Sequence, residues 1–152
     1  MIHIRKATRA DINSLVDFNQ RMAFETEEKQ LDDAVLRPGV TGVFDNDSRG
    51  FYLVAEDEQQ IVGSLMVTYE WSDWRNGNFW WIQSVYVIPS ARRTGVYKAL
   101  YEQVKALAAR QAIGYRLYVE KNNHIAQATY RSLGMSVCEY DMYEAMSAKP
   151  EQ

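Results

Sequence analysis

Apolar positions along the chain switch between a period of two and a period near 3.6, and the switches mark its elements. Alternation over residues 2–5 predicts a short first strand. Asp11 followed by Ile12, Leu15, Val16 and Phe18 predicts a helix behind an acidic start. The run ETEEKQLDD, residues 25–33, breaks that pattern; Leu31, Val35 and Leu36 then resume a helical face, which Pro38-Gly39 is expected to interrupt. Residues 51–55 and 61–69 are rich in β-branched and aromatic side chains, and the polar EDEQQ between them predicts a hairpin. WSDWRNG ends in Asn76-Gly77, a strong turn signal, and residues 79–88 then run almost continuously apolar, as a strand buried on both faces would.

After Pro89 and the stretch SARRTG, the residues Val96, Ala99, Leu100, Val104, Leu107 and Ala108 fall at helical spacing, so a long amphipathic helix starts near Gly95. Residues 115–119 alternate as a strand. Asn123 is placed to cap a helix carrying Ile125, Ala126, Thr129 and Leu133, with Gly134 as its stop, and residues 137–144 predict a closing strand or hairpin. The order β-α-α-β-β-β-α-β-α-β has no repeat and no linker, which points to one α+β sheet domain.

Composition narrows the function classes. The 152 residues, 47% hydrophobic and 24% charged, suit one ordinary core. A net charge of −3 argues against general nucleic-acid binding, and no apolar run approaches the ~20 residues that cross a bilayer, so neither nucleic acid nor membrane is an expected partner. A single cysteine excludes an internal disulfide, and with no leader-like start the expected setting is the reducing cytoplasm. Cys138 is expected to be a small buried apolar residue. His3 and His124 stand far apart without metal-ligand spacing, so no metal is expected. Charge is divided: residues 1–73 carry 14 Asp and Glu against 7 Lys and Arg, residues 74–152 carry 6 against 10, and the halves are suited to ligands of opposite sign.

The chemistry concentrates after WWIQSVYVIP. A strand feeding a basic, glycine-containing turn at a helix N-terminus makes an anion site, because the first-turn N–H groups and the helix dipole favour phosphate, and Arg92, Arg93 and Lys98 add positive charge. A pyrophosphate fits that description. Neither GxxxxGK[ST] nor GxGxxG is present.

Arg92-Arg93-Thr94-Gly95-Val96-Tyr97 resembles the acetyl-CoA-binding motif [RQ]-x-x-G-x-[GA] of the GCN5-related N-acetyltransferases (GNAT), matching at Arg92 and Gly95 and departing at Tyr97, where the family has a small residue. Downstream, Asn123, Ala126, Tyr130, Gly134 and Met135 resemble the family pattern N-x-x-A-x-x-x-Y-x-x-x-G-[FM]. The resemblance implies a mixed, mostly antiparallel central sheet flanked by helices over residues 1–147, with 148–152 as a short tail. It implies acetyl-CoA as co-substrate. The backbone of Val85, Tyr86 and Val87 would pair with the pantetheine arm and offer an N–H to the thioester oxygen. Arg92, Arg93, Thr94, Gly95, Val96, Tyr97 and Lys98 would hold the pyrophosphate, Asn123 the pantetheine side, and Tyr130 would act as general acid toward the leaving thiolate. Homodimerisation, common in the family, is expected as well.

An attacking amine must lose a proton, since a free alkyl amine has a pKa near ~10. In the polyamine-acetyltransferase-like branch a glutamate falls where Gln83 stands, and Gln83 cannot serve as base. Glu25, Glu28, Glu70, Asp73 and Glu120 remain open as bases, direct or through water. Carboxylates beside indoles suit a cation by charge pairing and cation–π contact, which singles out Glu25, Glu28, Glu70, Trp74 and Gln83 as acceptor-binding candidates. The leading expectation is therefore acetyl transfer to the primary amine of a small cationic molecule, by direct attack in a ternary complex. A coenzyme sensor without turnover and an interaction scaffold are the other two readings.

Overall fold

The computed structural model describes residues 1–148; most of the expected tail, from 149 on, lies outside the described residues. The chain divides into two compact units, residues 1–118 and 119–152.

The first unit contains β1 (Ile2–Lys6), α1 (Ile12–Glu27), α2 (Asp33–Asp45), β2 (Gly50–Asp57), β3 (Gln60–Ser72), β4 (Gly77–Val87), α3 (Val96–Ala108) and β5 (Ala112–Arg116). The strands lie in sequence order in one sheet; the first three pairings are antiparallel and β4–β5 is parallel. This is the mixed, mostly antiparallel α+β sheet expected. Alternation along β2 and β3 splits the core between two faces. On one, Leu15 and Val16 of α1 and Val40 and Val43 of α2 pack with Tyr52 and Val54. On the other lies α3, whose Val96 reaches Gly63 and whose Leu100 and Val104 are fully buried. None of the described helices is long and apolar enough to cross a membrane.

Three expectations are corrected in this unit. Pro38 and Gly39 sit inside α2, which runs on to Asp45. The helix survives the missing N–H because its apolar stripe, Leu36, Val40, Val43 and Phe44, is held in the core. β4 is not buried on both faces; Trp80, Ile82 and Tyr86 are buried and their neighbours are half-exposed. β5 begins at Ala112 and ends at Arg116 rather than covering 115–119. Gly114 brings its backbone against the Phe79 ring, where a Cβ would stand 2.9 Å from Cε1, and that close approach fixes the earlier register.

In the second unit α4 (His124–Ser132) starts at Asn123, whose side-chain oxygen accepts from Ala126 N–H at 3.1 Å, and Gly134 follows with φ +92°. The expected closing strand over 137–144 is absent among the described residues. Val137, Tyr140, Met142 and Tyr143 are exposed, and alternation alone makes no strand where no neighbour takes the backbone N–H and C=O groups. Cys138 is exposed for the same reason, against expectation.

Candidate active site

β4 carries the site because it changes neighbours halfway. Its pairing with β5 spans Asn78–Trp81 against residues 112–116, and past Trp81 no described strand pairs with that edge. Residues 82–87 therefore present main-chain groups along an open edge, the requirement for pairing with an extended, amide-bearing ligand. A bulge adds to this: Ser84 and Val85 together oppose Leu65, between the Met66–Gln83 and Ser64–Tyr86 pairs, and Ser84 takes φ +51°.

The strand ends in the basic turn. After a short 3-10 turn at Pro89–Ala91, Arg93 takes φ +64° and Gly95 φ +85°, and α3 begins at Val96. Thr94 Oγ1 donates to Ala91 O at 2.6 Å and closes the turn. The first turn of α3 points its N–H groups out of the helix start, beside exposed Arg93, Thr94 and Lys98. Nothing lies within 4 Å of a Cβ built on Gly95, so it is the left-handed backbone that calls for glycine here. Tyr97 leaves this helix start regular: its ring stacks on Tyr101, centroids 6.2 Å apart and planes 6° from parallel. These groups fit a pyrophosphate-bearing ligand with an extended arm.

Arg92, the motif's first residue, turns elsewhere. Its Nε donates to Val87 O at 2.8 Å and its Nη2 to Glu25 Oε1 at 2.6 Å. Glu25, in the last turn of α1, also accepts from the Tyr86 hydroxyl through Oε2. Burial pulls the Glu25 carboxyl upward, but the bonds from Tyr86 and Arg92 outweigh it and hold the carboxyl below its ordinary value. Tyr86 moves the opposite way, its phenol raised by burial and then by the adjacent carboxylate.

A second polar cluster shares the α1 face of the sheet. Trp81 Nε1 donates to Glu70 Oε1 at 2.7 Å, Arg116 Nη1 reaches the same oxygen at 3.1 Å, and the Arg116 guanidinium lies 3.6 Å from the Phe79 ring centroid. Gln83 Nε2 donates to Thr68 Oγ1 at 2.6 Å on the same face. The indole N–H of Trp81, and then Arg116, hold the Glu70 carboxyl below its ordinary value.

Of the acceptor candidates, then, Glu70 and Gln83 share this face, and Glu25 belongs to the Arg92 knot. Glu28 is the exposed left-handed residue ending α1, and Trp74 stands 87% exposed in the β3–β4 turn. The indole beside Glu70 is Trp81; of the adjacent pair Trp80 and Trp81, which alternation sends to opposite faces, Trp80 is the core residue and Trp81 meets the carboxylate. Cross-strand register decides the matter. Arg116 was missed, for it comes from a strand 46 residues further on. In the second unit, Asn123 spends its side-chain oxygen as a helix cap, and burial raises the half-buried Tyr130 phenol above its ordinary value.

The model of the acetyltransferase (GNAT) family matches residues 12–135, most of the chain and both units, and the chain belongs to that family. Its members are N-acetyltransferases whose acyl donor is acetyl-CoA, and this chain is an enzyme of that kind. A possible acetyltransferase from Clostridium difficile 630 is 44% identical, with 98% of this chain and 99% of that one covered and a TM-score of 0.90. At 20% identity the likeness extends to the fold of a predicted acetyltransferase from Clostridium acetobutylicum, solved with acetyl-CoA (95% and 96% covered, TM-score 0.79). The same holds, also at 20% identity, for an aminoglycoside 6'-N-acetyltransferase from Acinetobacter haemolyticus (97% and 99% covered, TM-score 0.76). Among curated proteins none matches the chain.

Proposed function

We propose that the chain transfers the acetyl group of acetyl-CoA to the primary amine of a small cationic molecule, by direct attack while both substrates are bound. The observation that carries the reading is the continuous run from the open β4 edge, residues 82–87, into the basic turn 92–98 at the start of α3. Acetyl-CoA supplies an activated acyl group as a thioester. In this reading the backbone of Val85, Tyr86 and Val87 takes the pantetheine arm. The first-turn N–H groups of α3, with Arg93, Thr94 and Lys98, take the pyrophosphate. Asn123 keeps its amide N–H group for the pantetheine side, its oxygen being engaged by the α4 cap.

For the acceptor we place the cationic head against Glu70 and the Trp81 ring, with Gln83 and Thr68 as hydrogen-bonding neighbours; the order of these residues on one face supports it. Arg116 neutralises part of the Glu70 charge, which favours a compact ammonium over a long polycation. The ammonium gives one proton to water or to a carboxylate reached through water, the neutral amine bonds to the acyl carbon, the C–S bond breaks as Tyr130 protonates the leaving thiolate, and the second proton of the attacking nitrogen returns through water to the Tyr130 phenolate. Burial keeps that phenol protonated at neutral pH, as a proton donor must be. A homodimer is part of the proposal only on family grounds.

The test is the thermal unfolding midpoint with and without acetyl-CoA, followed by free-thiol release on adding spermidine, lysine or an aminoglycoside. A ligand that binds the native state raises the midpoint by mass action. A rise with acetyl-CoA and thiol release with one amine class support the reading; no rise at saturating acetyl-CoA overturns it.

A further inference from the structure

The knot of Glu25, Tyr86 and Arg92 joins three parts of the first unit: the end of α1, the end of β4 and the start of the basic turn. Both Glu25 carboxylate oxygens are engaged, Oε1 by Arg92 and Oε2 by Tyr86. Arg92 is tied twice more, by Nε to Val87 O at 2.8 Å and by its guanidinium 5.5 Å from the centroid of the Tyr86 ring. Tyr86, only 5% exposed, is pinned from behind by Phe18 of α1, ring centroids 5.2 Å apart. An isolated Arg–Glu pair at this exposure would contribute little. This pair differs, because each partner is also held by a buried or main-chain group, so moving one moves the other.

We propose that Glu25 is a positioning residue for the coenzyme: it holds Arg92 against Val87 and so fixes where the phosphate-binding turn leaves β4. Its carboxylate is thereby withdrawn from the two other roles open to it, acceptor binding and proton removal. The positive charge that meets the pyrophosphate comes from the exposed Arg93 and Lys98, while Arg92 braces the turn. The inference rests on the proposed coenzyme site and adds the device that keeps it in shape.

The two are separated by calorimetric titration of coenzyme A into the full chain and into Glu25→Ala, Arg92→Ala and the double variant. Two groups acting as one brace give non-additive losses. Each single variant should weaken coenzyme A by about 5- to 10-fold, and the double variant no more than either. Glu25→Gln, which keeps one oxygen acceptor, should lose less than Glu25→Ala and serves if the alanine variant fails to fold. Turnover of whichever panel amine is a substrate should keep its acceptor KM and the pH dependence of kcat in Glu25→Gln. Additive losses of coenzyme affinity overturn the brace, as does a raised acceptor KM with coenzyme affinity unchanged. Failure of the unaltered chain to bind coenzyme A overturns the proposed function itself.

Discussion

Trp81 and Glu70 stand on adjacent strands, Glu70 two residues along β3 from Thr68, the partner of Trp81, with the indole N–H directed at the carboxylate oxygen that Arg116 also holds. Three side chains from β3, β4 and β5 thus converge on one charge. If that charge receives the acceptor, Glu70→Gln should raise the KM of a cationic amine about tenfold, equivalent to ~1.4 kcal/mol, with coenzyme affinity unchanged. Trp81→Phe should act in the same direction and less. Because Trp81 and Arg116 hold the carboxyl below its ordinary value, acceptor binding should not weaken through Glu70 anywhere in the neutral range. Steady-state kinetics from pH 6 upward, taken with calorimetry, checks both points. An unchanged KM would leave Glu70 as a structural partner of Arg116.

If Tyr130 is the proton donor, Tyr130→Phe removes that proton and keeps the ring. General acid catalysis is typically worth about 10²-fold or more, so kcat should fall by that order while coenzyme A affinity stays within about twofold. Burial raises the phenol, so the native enzyme should show no loss of its donor as pH rises from 7 toward the ordinary tyrosine value of 10.0. Unchanged turnover in the variant would remove Tyr130 from the mechanism.

Gly63 tests the seat of the basic turn. A Cβ there would stand 3.0 Å from Val96 Cγ1 and 3.1 Å from Tyr86 O, so the first residue of α3 or the end of β4 must give way. Gly63→Ala should cost about 1–3 kcal/mol, the range for overpacking a filled core, and should weaken coenzyme A as well. Urea unfolding and calorimetry on one preparation read both effects, and loss of stability with full affinity would show that the turn tolerates the shift.

Asp11 governs the acid limb of stability. Arg5 grips it with both terminal nitrogens, at 2.8 and 2.9 Å, and the Thr8 N–H adds a bond at 2.7 Å; the Arg5 bonds hold the buried carboxyl below its ordinary value. A depressed carboxyl stabilises the fold fully above its unfolded pKa, near ~3.9, and the contribution disappears as pH falls through the lower, folded value. Asp11→Asn should therefore lose about 1–3 kcal/mol at pH 7 and flatten the decline below about pH 4. Urea midpoints at pH 7, 4 and 3 show whether the native chain and the variant converge in acid.

Legibility in the sequence followed the range of the interaction. Short-range signals were readable: Asn123 as a cap, Gly134 as a stop, Asn76-Gly77 as a turn and the helix starting after Gly95 all depend on neighbours in the chain. Pro38 misled because burial of Val40 and Val43, supplied from α1 and β2, outweighed a local breaker. The pairing of Glu70 with Trp81 and Arg116, and of Glu25 with Arg92, depends on strand register and on which way α1 faces, and no spacing rule contains that. The motif around Gly95 located the turn correctly, yet it said nothing of where the Arg92 side chain would go.

The bulge at Ser84 and Val85 also has a genetic meaning. Two residues opposite one shift the in-and-out alternation of the strand by one step, so Gln83 and Tyr86 face the same side although three positions apart. Losing a single codon at 84 or 85 would leave β3 and β4 able to pair without interruption. It would keep Gln83 and Tyr86 on one face, now two positions apart, and would remove the extra residue and the bend that comes with it. A one-residue deletion there should therefore keep the fold and the contact of Tyr86 with Glu25 while altering the strand edge proposed for the pantetheine arm, an effect that replacing either residue, which leaves the bulge in place, does not produce.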